Sequence, residues 1–426
     1  MLDLKFVREH PELVREDLRR RQRDPSLVDH LLEMDQRWRI SFARQSDLRA
    51  GQNRRSEEVA RKKKSGEDTS ALQNELRQLS EQIREQNEQI HLQADSITRI
   101  LEKLPNSLHH SVPEGTDESG NIRIRSGGSS PSFSFSPLPH WELAKHLKLF
   151  DLERSGKIAG SGFILYTGWG AKLERSLISW MIDFHCQHHG YRELFPPFVI
   201  NRDTAYGTGK LPDFDNQMYR FQNSDLYLNP TAEVPVTALH AGETLQADTL
   251  PLYYVAYTAC FRREAGAAGK DTRGLLRLHQ FDKVELVKFV RPEDSYLELE
   301  NLTSEAESIV AALELPYEVV ELCTGEIGFS ASKAYDINVF APGVNKWLEV
   351  SSCSNCTNYQ SRRLNMRFRN PQTGKLEFVH TLNGSGVALP RTVAAILENY
   401  QEMDGSVRVP RVLQPYLQVE RIQPGS

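Results

Sequence analysis

Residues 261–287 read FRREAGAAGKDTRGLLRLHQFDKVELV, and their alternation decides the fold of the larger part of the chain. Two strand-like runs flank a glycine-rich stretch, which predicts a β-hairpin. The alternation puts Arg262 and Glu264 on one face of the first strand, and Arg277, Phe281 and Glu285 on one face of the second. Because the other face of the second strand is apolar, we expect the charged face to line a cavity that holds a charged ligand. An exposed ladder of salt bridges would give the same alternation.

The residue types on this face suit a nucleoside triphosphate. Arginines bind phosphates through two parallel hydrogen bonds, and a flat aromatic ring can stack on a base. The two common nucleotide-binding signatures, GxxxxGK[ST] and GxGxxG, do not occur in the sequence. We therefore expect a sheet, and not a glycine-rich phosphate loop, to hold the nucleotide. Residues 265–274, between the two strands, contain no apolar anchor and are predicted to be a mobile loop that folds over a substrate.

Three further short motifs combine groups that bind small ions. The first motif could present a hydroxyl and a carboxylate to a small cationic ligand. The second could provide oxygen ligands for a hard cation. The third could place a fixed guanidinium beside a glycine-rich turn. These motifs are NPTAEVP with Thr231 and Glu233, WLEVSSCSN with Glu349 and Ser351 or Ser352, and HTLNGSGVALPR with Asn383, Ser385 and Arg391.

Composition places the chain in the class of large cytosolic proteins. A length of 426 residues predicts two or three domains. The net charge of −5 excludes a globally basic nucleic-acid binder, but it leaves room for a local basic patch. Five cysteines, an odd and small number, favour reduced thiols. The sequence contains no apolar run of about 18 residues and no signal-peptide pattern, so we expect a cytoplasmic protein without membrane association.

The N-terminal quarter is predicted to be a helical hairpin. Residues 26–104 contain almost no glycine or proline, and a turn is expected at Ser65 and Gly66. Apolar residues alternate at spacings of four and three in the second half and less regularly in the first, which is typical of an antiparallel coiled coil. The positions are Leu27, Leu31, Met34, Trp38, Leu48 and Val59, then Leu72, Leu76, Leu79, Ile83, Gln86, Ile90, Gln93, Ile97, Ile100 and Leu104.

A group of cations lies near the predicted tip of this arm. It consists of Arg54, Arg55 and residues 61–64, and is called the tip cluster below. Such a cluster could meet the phosphates of a nucleic acid. A dimerisation device, a spacer or a solvated charged face would explain the same pattern.

The rest of the chain is predicted to be an α+β domain. Residues 105–139 are rich in proline, glycine and serine and are interpreted as a linker with short extended segments. Beyond them, strands follow one another through hairpins and not through regular helical crossovers, which favours an antiparallel sheet flanked by helices. The predicted domains are therefore 1–104, 105–139 and 140–426.

The motifs TAEVP, FRREAG with DTRGLLRLHQFDKVE, SSCSN and TLNGSG, in this order, resemble those of bacterial seryl-tRNA synthetases, a family of class II aminoacyl-tRNA synthetases. The resemblance spans the chain and includes PHWELA, GWGAKLERSLISWM and GTGKLPDF. It implies a serine–tRNA ligase that uses ATP and Mg²⁺, acts on L-serine and tRNA(Ser) and also on tRNA(Sec), and forms a homodimer with Pro197 at the interface. The chain departs from the family pattern at Gly162, where an arginine is usual.

The same resemblance implies roles for individual residues. The implied catalytic residues are Arg262, Glu264 and Arg391. The implied serine-binding residues are Thr231, Ala232, Glu233, Arg262, Glu285, Asn383 and Ser385. The implied ATP-binding residues are Arg262, Arg263, Glu264, Arg277, Phe281, Glu349, Val350, Ser351, Ser352 and Arg391. Of these, Glu349 and Ser352 are the implied Mg²⁺ ligands.

Two possible metal sites carry less weight. Cys353 and Cys356 form a CxxC pair without a second pair nearby, which is a weak zinc signal. His185, Cys186, His188 and His189 have helical metal-ligand spacing, but polar residues at a helix end explain them equally well.

Two other functions are compatible with parts of this sequence pattern. One is a related enzyme that activates a small amino acid and loads a carrier protein, which would be expected to lack the helical arm. The other is a coiled-coil interaction protein with a degenerate catalytic domain. The presence of Arg262, Glu264, Glu285, Glu349 and Arg391 argues against the second.

Overall fold

The computed structural model describes residues 1–265 and 273–425. Most of the loop predicted at 265–274 lies outside these residues. The chain divides into two compact units, Leu2–Pro105 and Asn106–Ser426, with Met1 belonging to the second. Residues 106–139 belong to the same compact unit as the sheet. The boundary predicted at residue 139, between the linker and the catalytic domain, therefore stays a prediction.

The first unit consists of two short and two long helices. Gln45 and Gln52 of the first long helix hydrogen bond to Asn87 and Ser80 of the second, so the two helices run antiparallel. At the turn, the Asp68 carboxylate accepts a hydrogen bond from the N–H of Ser70 at 2.9 Å, which satisfies one free donor of the second long helix. The helices are α1 (Leu4–Glu9), α2 (Pro11–Arg20), α3 (Ser26–Lys64) and α4 (Ser70–Leu101).

The seam between α3 and α4 follows the predicted heptads. In α4 every predicted position from Leu72 to Ile100 is buried or half-buried. In the middle of α3 the seam is polar, where Gln45 lies 2.8 Å from the Asn87 side-chain oxygen and Gln52 lies 2.9 Å from the Ser80 hydroxyl. These hydrogen-bonded pairs explain why the apolar pattern of the first half is irregular.

The second unit is built on one large sheet. Its helices are α5 (His140–Leu147), α6 (Leu152–Ala159), α7 (Gly168–His189), α8 (Arg202–Gly207), α9 (Glu233–Thr237), α10 (Ser295–Ala312), α11 (Tyr359–Leu364), α12 (Leu389–Asn399) and α13 (Gln414–Leu417). Its strands are β1 (Ile122–Gly127), β2 (Arg192–Leu194), β3 (Val199–Asn201), β4 (Leu226–Leu228), β5 (Thr244–Leu245), β6 (Leu252–Phe261), β7 (Gln280–Val290), β8 (Tyr317–Glu321), β9 (Lys333–Ala341), β10 (Lys346–Asn355), β11 (Arg367–Arg369), β12 (Leu376–Phe378), β13 (His380–Ala388), β14 (Val407–Arg408) and β15 (Arg421–Ile422).

The order of the eight-stranded sheet is β1-β8-β9-β10-β13-β7-β6-β2. All neighbours are antiparallel except β2 and β6, which pair in parallel at one edge. This confirms the predicted α+β class with an antiparallel sheet and an N-terminal arm of two antiparallel helices. At the other edge, β1 comes from the segment interpreted as a linker.

Helices α7, α10 and α12 pack on one face of this sheet and form the main core with it. Val284 and Leu286 of β7 point into this core and are fully buried, as their alternation predicts. On the opposite face, Val287 and Phe289 belong to a smaller apolar cluster that includes Ala232. The stretch of this face between that cluster and the hairpin loop carries the polar side chains.

The hairpin strands are shorter than the alternation predicts. Strand β6 ends at Phe261 and β7 begins at Gln280, so Arg262, Glu264 and Arg277 lie just beyond the strand ends. The backbone of Glu264 takes a left-handed φ of 48°, which ends the extended run. Of the five residues predicted to share the charged face of the hairpin, only Phe281 and Glu285 lie within a strand.

In the described part of the chain, none of the helices is long and apolar enough to cross a membrane.

Candidate active site

A cavity of about 540 Å³ opens on the polar face of the sheet, beside the ends of β6 and β7. Most of its wall is polar or charged, which is unusual for a buried surface and indicates a site for a charged ligand. It is lined by Lys210, Phe214, Gln217, Thr231, Glu233, Arg262, Glu264, Ala265, Leu275, Leu276, Arg277, Leu278, Phe281, Lys283, Glu285, Glu349, Val350, Ser352, Ser354, Asn383, Ser385, Ala388, Pro390 and Arg391.

Two β-bulges determine which side chains reach this cavity. In β10 the pairing register shifts between Glu349 and Ser351, and in β13 between Ser385 and Val387. Side chains three apart on a regular strand point to opposite faces, so Glu349 and Ser352 can share a face only because of the extra residue. The bulge in β13 has the same effect on Ser385 and Ala388.

Arg262 and Phe281 lie together at one end of the cavity. The guanidinium of Arg262 lies 5.1 Å from the centre of the Phe281 ring, and its Nε donates to the carbonyl of Pro230 at 3.3 Å. The N–H of Arg262 donates to the carbonyl of His279 at 2.8 Å, which extends the pairing of the two strands by one step. The position of this cation is therefore set by backbone contacts as well as by the aromatic ring.

Glu264 and Arg277 form an ion pair on the cavity wall, with 3.1 Å between Oε2 and Nη1. Both side chains are only partly exposed. The pair brings together two residues that the sequence places on opposite sides of the loop.

Arg391 enters the cavity from the first turn of α12. Its Nη1 donates to the carbonyl of Glu349 at 2.7 Å and lies 3.3 Å from the Glu349 carboxylate. Its Nε donates to the carbonyl of Leu276 at 3.4 Å. Arg391 thus links the bulged strand β10 to the segment that precedes β7.

Two glutamates at the other end of the cavity each contact a lysine. Glu233 lies 2.7 Å from Lys210 Nζ and accepts a hydrogen bond from Gln360 at 2.9 Å. Burial acts to raise the pKa of the Glu233 carboxyl, but the charge and hydrogen bond of Lys210 outweigh it, so this pKa is lowered. Glu233 is therefore an anion at neutral pH.

The second glutamate, Glu285, lies 2.5 Å from Lys283 Nζ and accepts a hydrogen bond from the Asn383 amide at 3.3 Å. Its β7 position is directly opposite Ser385 of β13. Glu285, Asn383 and Ser385 therefore form one compact patch of an anion, an amide and a hydroxyl.

Sequence reasoning missed the two lysines, Lys210 and Lys283. Lys283 lies between Phe281 and Glu285 on the same strand face, so the alternation contained its signal. Lys210 belongs to GTGKLPDF, far from the other motifs in sequence, and no local pattern relates it to Glu233.

Glu349 and Ser352 provide oxygen atoms suited to Mg²⁺. The carboxylate of Asp336 lies behind them, since Asp336 pairs with Ser352 across β9 and β10. Burial, and after it the charge of Glu349, raises the pKa of Asp336 well above its ordinary value. Within the described residues, Asp336 Oδ1 is buried without a hydrogen-bond partner. A divalent cation would take the place of the proton that the crowding of these carboxyl groups favours, so the residues present fit the ion.

Three residues implied by the resemblance do not line the cavity. Ala232 is buried in the small apolar cluster, and Ser351 is buried with its hydroxyl donating to the carbonyl of Ser385 at 2.5 Å. The side chain of Arg263 is exposed, and its N–H donates to the carbonyl of Gln217. The structure thus gives no support to a side-chain contact with ligand at these three positions.

The cysteine and histidine motifs have ordinary structural explanations. Burial raises the pKa of Cys353 to about 12 and also raises the pKa of Cys356, so both thiols stay protonated at neutral pH. Burial lowers the pKa of His185 to about 3. Among residues 1–265 and 273–425, no group of three histidine, cysteine or acidic side chains is arranged to hold a metal ion.

Comparison with known protein families agrees with this geometry. Residues 218–400, which contain most of the cavity wall, match the family model of the class II tRNA synthetase core domain (G, H, P, S and T). Residues 1–108 match the seryl-tRNA synthetase N-terminal domain. The antiparallel sheet and its charged cavity define the chain as a class II aminoacyl-tRNA synthetase.

Similarity to individual proteins extends over nearly the whole chain. A serine–tRNA ligase of Pelotomaculum thermopropionicum is 52% identical over 417 residues, covering 98% of both chains, and one of Desulfitobacterium hafniense is 50% identical over 422 residues, covering 99% of this chain and 100% of its own. The crystal structure of the Pyrococcus horikoshii seryl-tRNA synthetase complexed with ATP matches with a TM-score of 0.95, at 38% identity and full coverage of both chains. The chain belongs to the seryl-tRNA synthetase family.

Proposed function

We propose that the chain activates L-serine with ATP to form seryl-adenylate and transfers the seryl group to the 3′ end of tRNA(Ser) and also of tRNA(Sec). The observation that carries this proposal is the composition of one cavity. Arg262, Arg277, Phe281 and Arg391 suit a nucleotide, whereas Glu285 and the patch around it suit a small amino acid. Phe281 and Glu285 are four residues apart on β7, about 13 Å along the strand, which is a suitable span for an aminoacyl-adenylate.

ATP binds at the end of the cavity near the hairpin loop. Its adenine lies against the ring of Phe281, and Arg262, Arg277 and Arg391 contact the phosphates. Glu264 orients Arg277 through their ion pair. Glu349 and Ser352 would hold Mg²⁺, which would supply charge neutralisation for the triphosphate.

Serine binds beside Glu285. The carboxylate of Glu285 accepts the substrate ammonium, and Thr231, Asn383 and Ser385 surround the hydroxymethyl group. Glu233 is already held by Lys210 and Gln360, so its contribution is to orient this wall. Alanine would leave these buried polar groups without a partner, which costs more binding energy than a missing methyl group in an apolar pocket.

The chemistry requires no nucleophile from the protein. A carboxylate oxygen of serine attacks the α-phosphorus of ATP in line, and the bond to the bridging oxygen of the β-phosphate breaks, which releases pyrophosphate. Arg262 and Arg391 neutralise the charge that develops on the α-phosphate. The oxygen of the terminal ribose 3′-hydroxyl of the tRNA then attacks the acyl carbon, its proton passes to the phosphate of the adenylate, and the bond between the acyl carbon and the phosphate oxygen breaks to release AMP.

Amino-acid-dependent pyrophosphate exchange tests this function directly. Serine is expected to support exchange, while threonine, alanine and glycine are expected to be at least about 100-fold less efficient in kcat/KM, since alanine and glycine lack the hydroxyl and threonine adds a methyl group beside it. The measurement is ATP formation from labelled pyrophosphate with each amino acid alone. Efficient exchange with a different amino acid would reassign the substrate.

The Mg²⁺ site can be tested separately. Glu349→Gln is expected to raise the Mg²⁺ concentration for half-maximal exchange by about tenfold, because it removes an anionic oxygen ligand. Glu420→Gln is the matched control, since Glu420 is an exposed carboxylate outside the cavity wall. The same Mg²⁺ dependence in both variants would exclude Glu349 as a ligand.

Three features support the proposed partners and location. The tip cluster supports binding of the tRNA backbone. Phe195, which is 75% exposed and follows edge strand β2, supports a homodimer with Pro197 at the interface. All five cysteines are free, which supports the proposed cytoplasmic location.

A further inference from the structure

The histidine of the PHWELA motif, His140, forms a buried hydrogen bond outside the cavity with Glu398. His140, the first residue of α5, and Glu398, near the end of α12, both have completely buried side chains. His140 Nδ1 lies 2.7 Å from Glu398 Oε1, and the N–H of His140 donates to the same oxygen at 2.9 Å. Glu398 Oε2 accepts from the N–H groups of Gly343 and Val344 at 2.8 and 3.1 Å. Both carboxylate oxygens are thus satisfied, which a buried charge requires.

The other nitrogen of His140 contacts the hairpin. The N–H of Leu275 donates to His140 Nε2 at 3.1 Å. Because Nε2 accepts this bond, it carries no proton, and the imidazole proton is on Nδ1, from which it is donated to Glu398. Only a side chain with a donor and an acceptor at these two positions connects Glu398 to the backbone of Leu275.

Gly274 and Arg273, which precede Leu275, also contact α5. Gly274 has a φ of 69°, and a Cβ atom there would lie 2.3 Å from His140 Nε2 and 3.0 Å from Trp141. The guanidinium of Arg273 lies 4.7 Å from the centre of a Trp141 ring. Residues 273–275 are therefore fitted closely against the start of α5.

This segment continues directly into the cavity wall. Leu275, Leu276 and Arg277 line the cavity, and the carbonyl of Leu276 accepts a hydrogen bond from Arg391. Arg391 and Glu398 belong to the same helix, α12, about two turns apart. The segment is thus tied to α12 twice, directly through Arg391 and indirectly through His140 and Glu398.

We infer that His140 and Glu398 are positioning residues for the ATP end of the active site. They hold residues 273–277 at a fixed distance from α12, which places Arg277 on the cavity wall and aligns Arg391 with the Leu276 carbonyl. This inference rests on the proposed roles of Arg277 and Arg391 in ATP binding. Neither His140 nor Glu398 touches the cavity, so they act only through the segment.

Two substitutions of His140 separate its two hydrogen bonds. In His140→Gln, the amide oxygen can reach the position of Nε2 and accept from Leu275, while the backbone N–H of residue 140 still donates to Glu398. In His140→Asn, the shorter amide can donate to Glu398 but cannot reach Leu275. We expect the KM for ATP in pyrophosphate exchange to rise about tenfold in His140→Asn and to stay within about threefold of the wild type in His140→Gln. The KM for serine should stay within about twofold in both, since Glu285, Asn383 and Ser385 lie on other elements.

Thermal unfolding of each variant reports the structural effect. The inference is overturned if His140→Asn leaves the KM for ATP unchanged, if Gln and Asn raise it equally, or if the KM values for ATP and serine rise together. Trp141→Leu removes the ring that lies against Arg273 and Gly274 of the same segment and leaves His140 and Glu398 in the sequence, so it provides a test if His140→Asn does not fold. It is expected to raise the KM for ATP about threefold at an unchanged KM for serine, and an unchanged KM for ATP would overturn the inference.

Arg391→Ala distinguishes the inference from the function on which it rests. A higher KM for ATP in Arg391→Ala, with no effect of His140→Asn, would overturn only the positioning role. An unchanged KM for ATP in Arg391→Ala would overturn the proposed role of Arg391 itself.

Discussion

Replacing Arg262 with alanine is expected to lower serine-dependent pyrophosphate exchange by about 10³- to 10⁴-fold in kcat/KM. Arg262 is the cation proposed to contact the α-phosphate, where negative charge develops in the transition state. Its position is set by the Pro230 carbonyl and the Phe281 ring, so no neighbouring side chain can take its place. The measurement is exchange at saturating and subsaturating ATP and serine.

Arg262→Lys is expected to recover only part of the loss. A lysine keeps the positive charge, but it cannot form two parallel hydrogen bonds with a phosphate or stack on Phe281 in the same way. Arg123→Ala is the control, because Arg123 lies on edge strand β1 with a side chain that is largely exposed. If Arg262→Ala retained more than about a tenth of the exchange activity, electrostatic stabilisation by this residue would be excluded.

Neutralising the tip cluster is expected to lower tRNA charging by about 100-fold or more, with serine-dependent pyrophosphate exchange unchanged. Arg54, Arg61, Lys63 and Lys64 are exposed, and in the described part of the chain they form no side-chain ion pair. They are therefore free to meet phosphates. Replacing these four with glutamine keeps good helix formers at each position.

Salt dependence provides a second measurement for this variant. Each phosphate contact that is lost should reduce the slope of log affinity against log salt concentration by about one. The control replaces Arg123, Lys346, Arg408 and Arg411 of the other compact unit with glutamine, which removes the same charge elsewhere. Equal losses of charging in the two variants would indicate a general electrostatic effect and contradict a specific role for the arm.

The architecture could be predicted from sequence where periodicity is regular. The heptads of α4 and the alternation of Phe281 and Glu285 with Val284 and Leu286 follow from local spacing, and the structure places these side chains as expected. The polar seam of α3 is harder to predict, because Gln45 and Gln52 can lie in the seam only when side chains of the other helix hydrogen bond to them.

Other features could not be predicted from local pattern. The bulges in β10 and β13 have no signature in spacing, yet the first decides that Glu349 and Ser352 share a face, and the second decides the same for Ser385 and Ala388. The pairs Lys210 with Glu233 and His140 with Glu398 join residues that are far apart in sequence. Such contacts depend on tertiary structure, which single-sequence periodicity does not contain.

The bulges also restrict how this enzyme can change over evolutionary time. Exchange of one side chain for another can adjust substrate preference step by step, because the remaining wall stays in place. Insertion or deletion of one amino acid in β10 or β13 would instead turn the polar cavity-lining side chains of that strand into the hydrophobic interior. Variation in the lengths of these two strands should therefore be far rarer than variation in their composition.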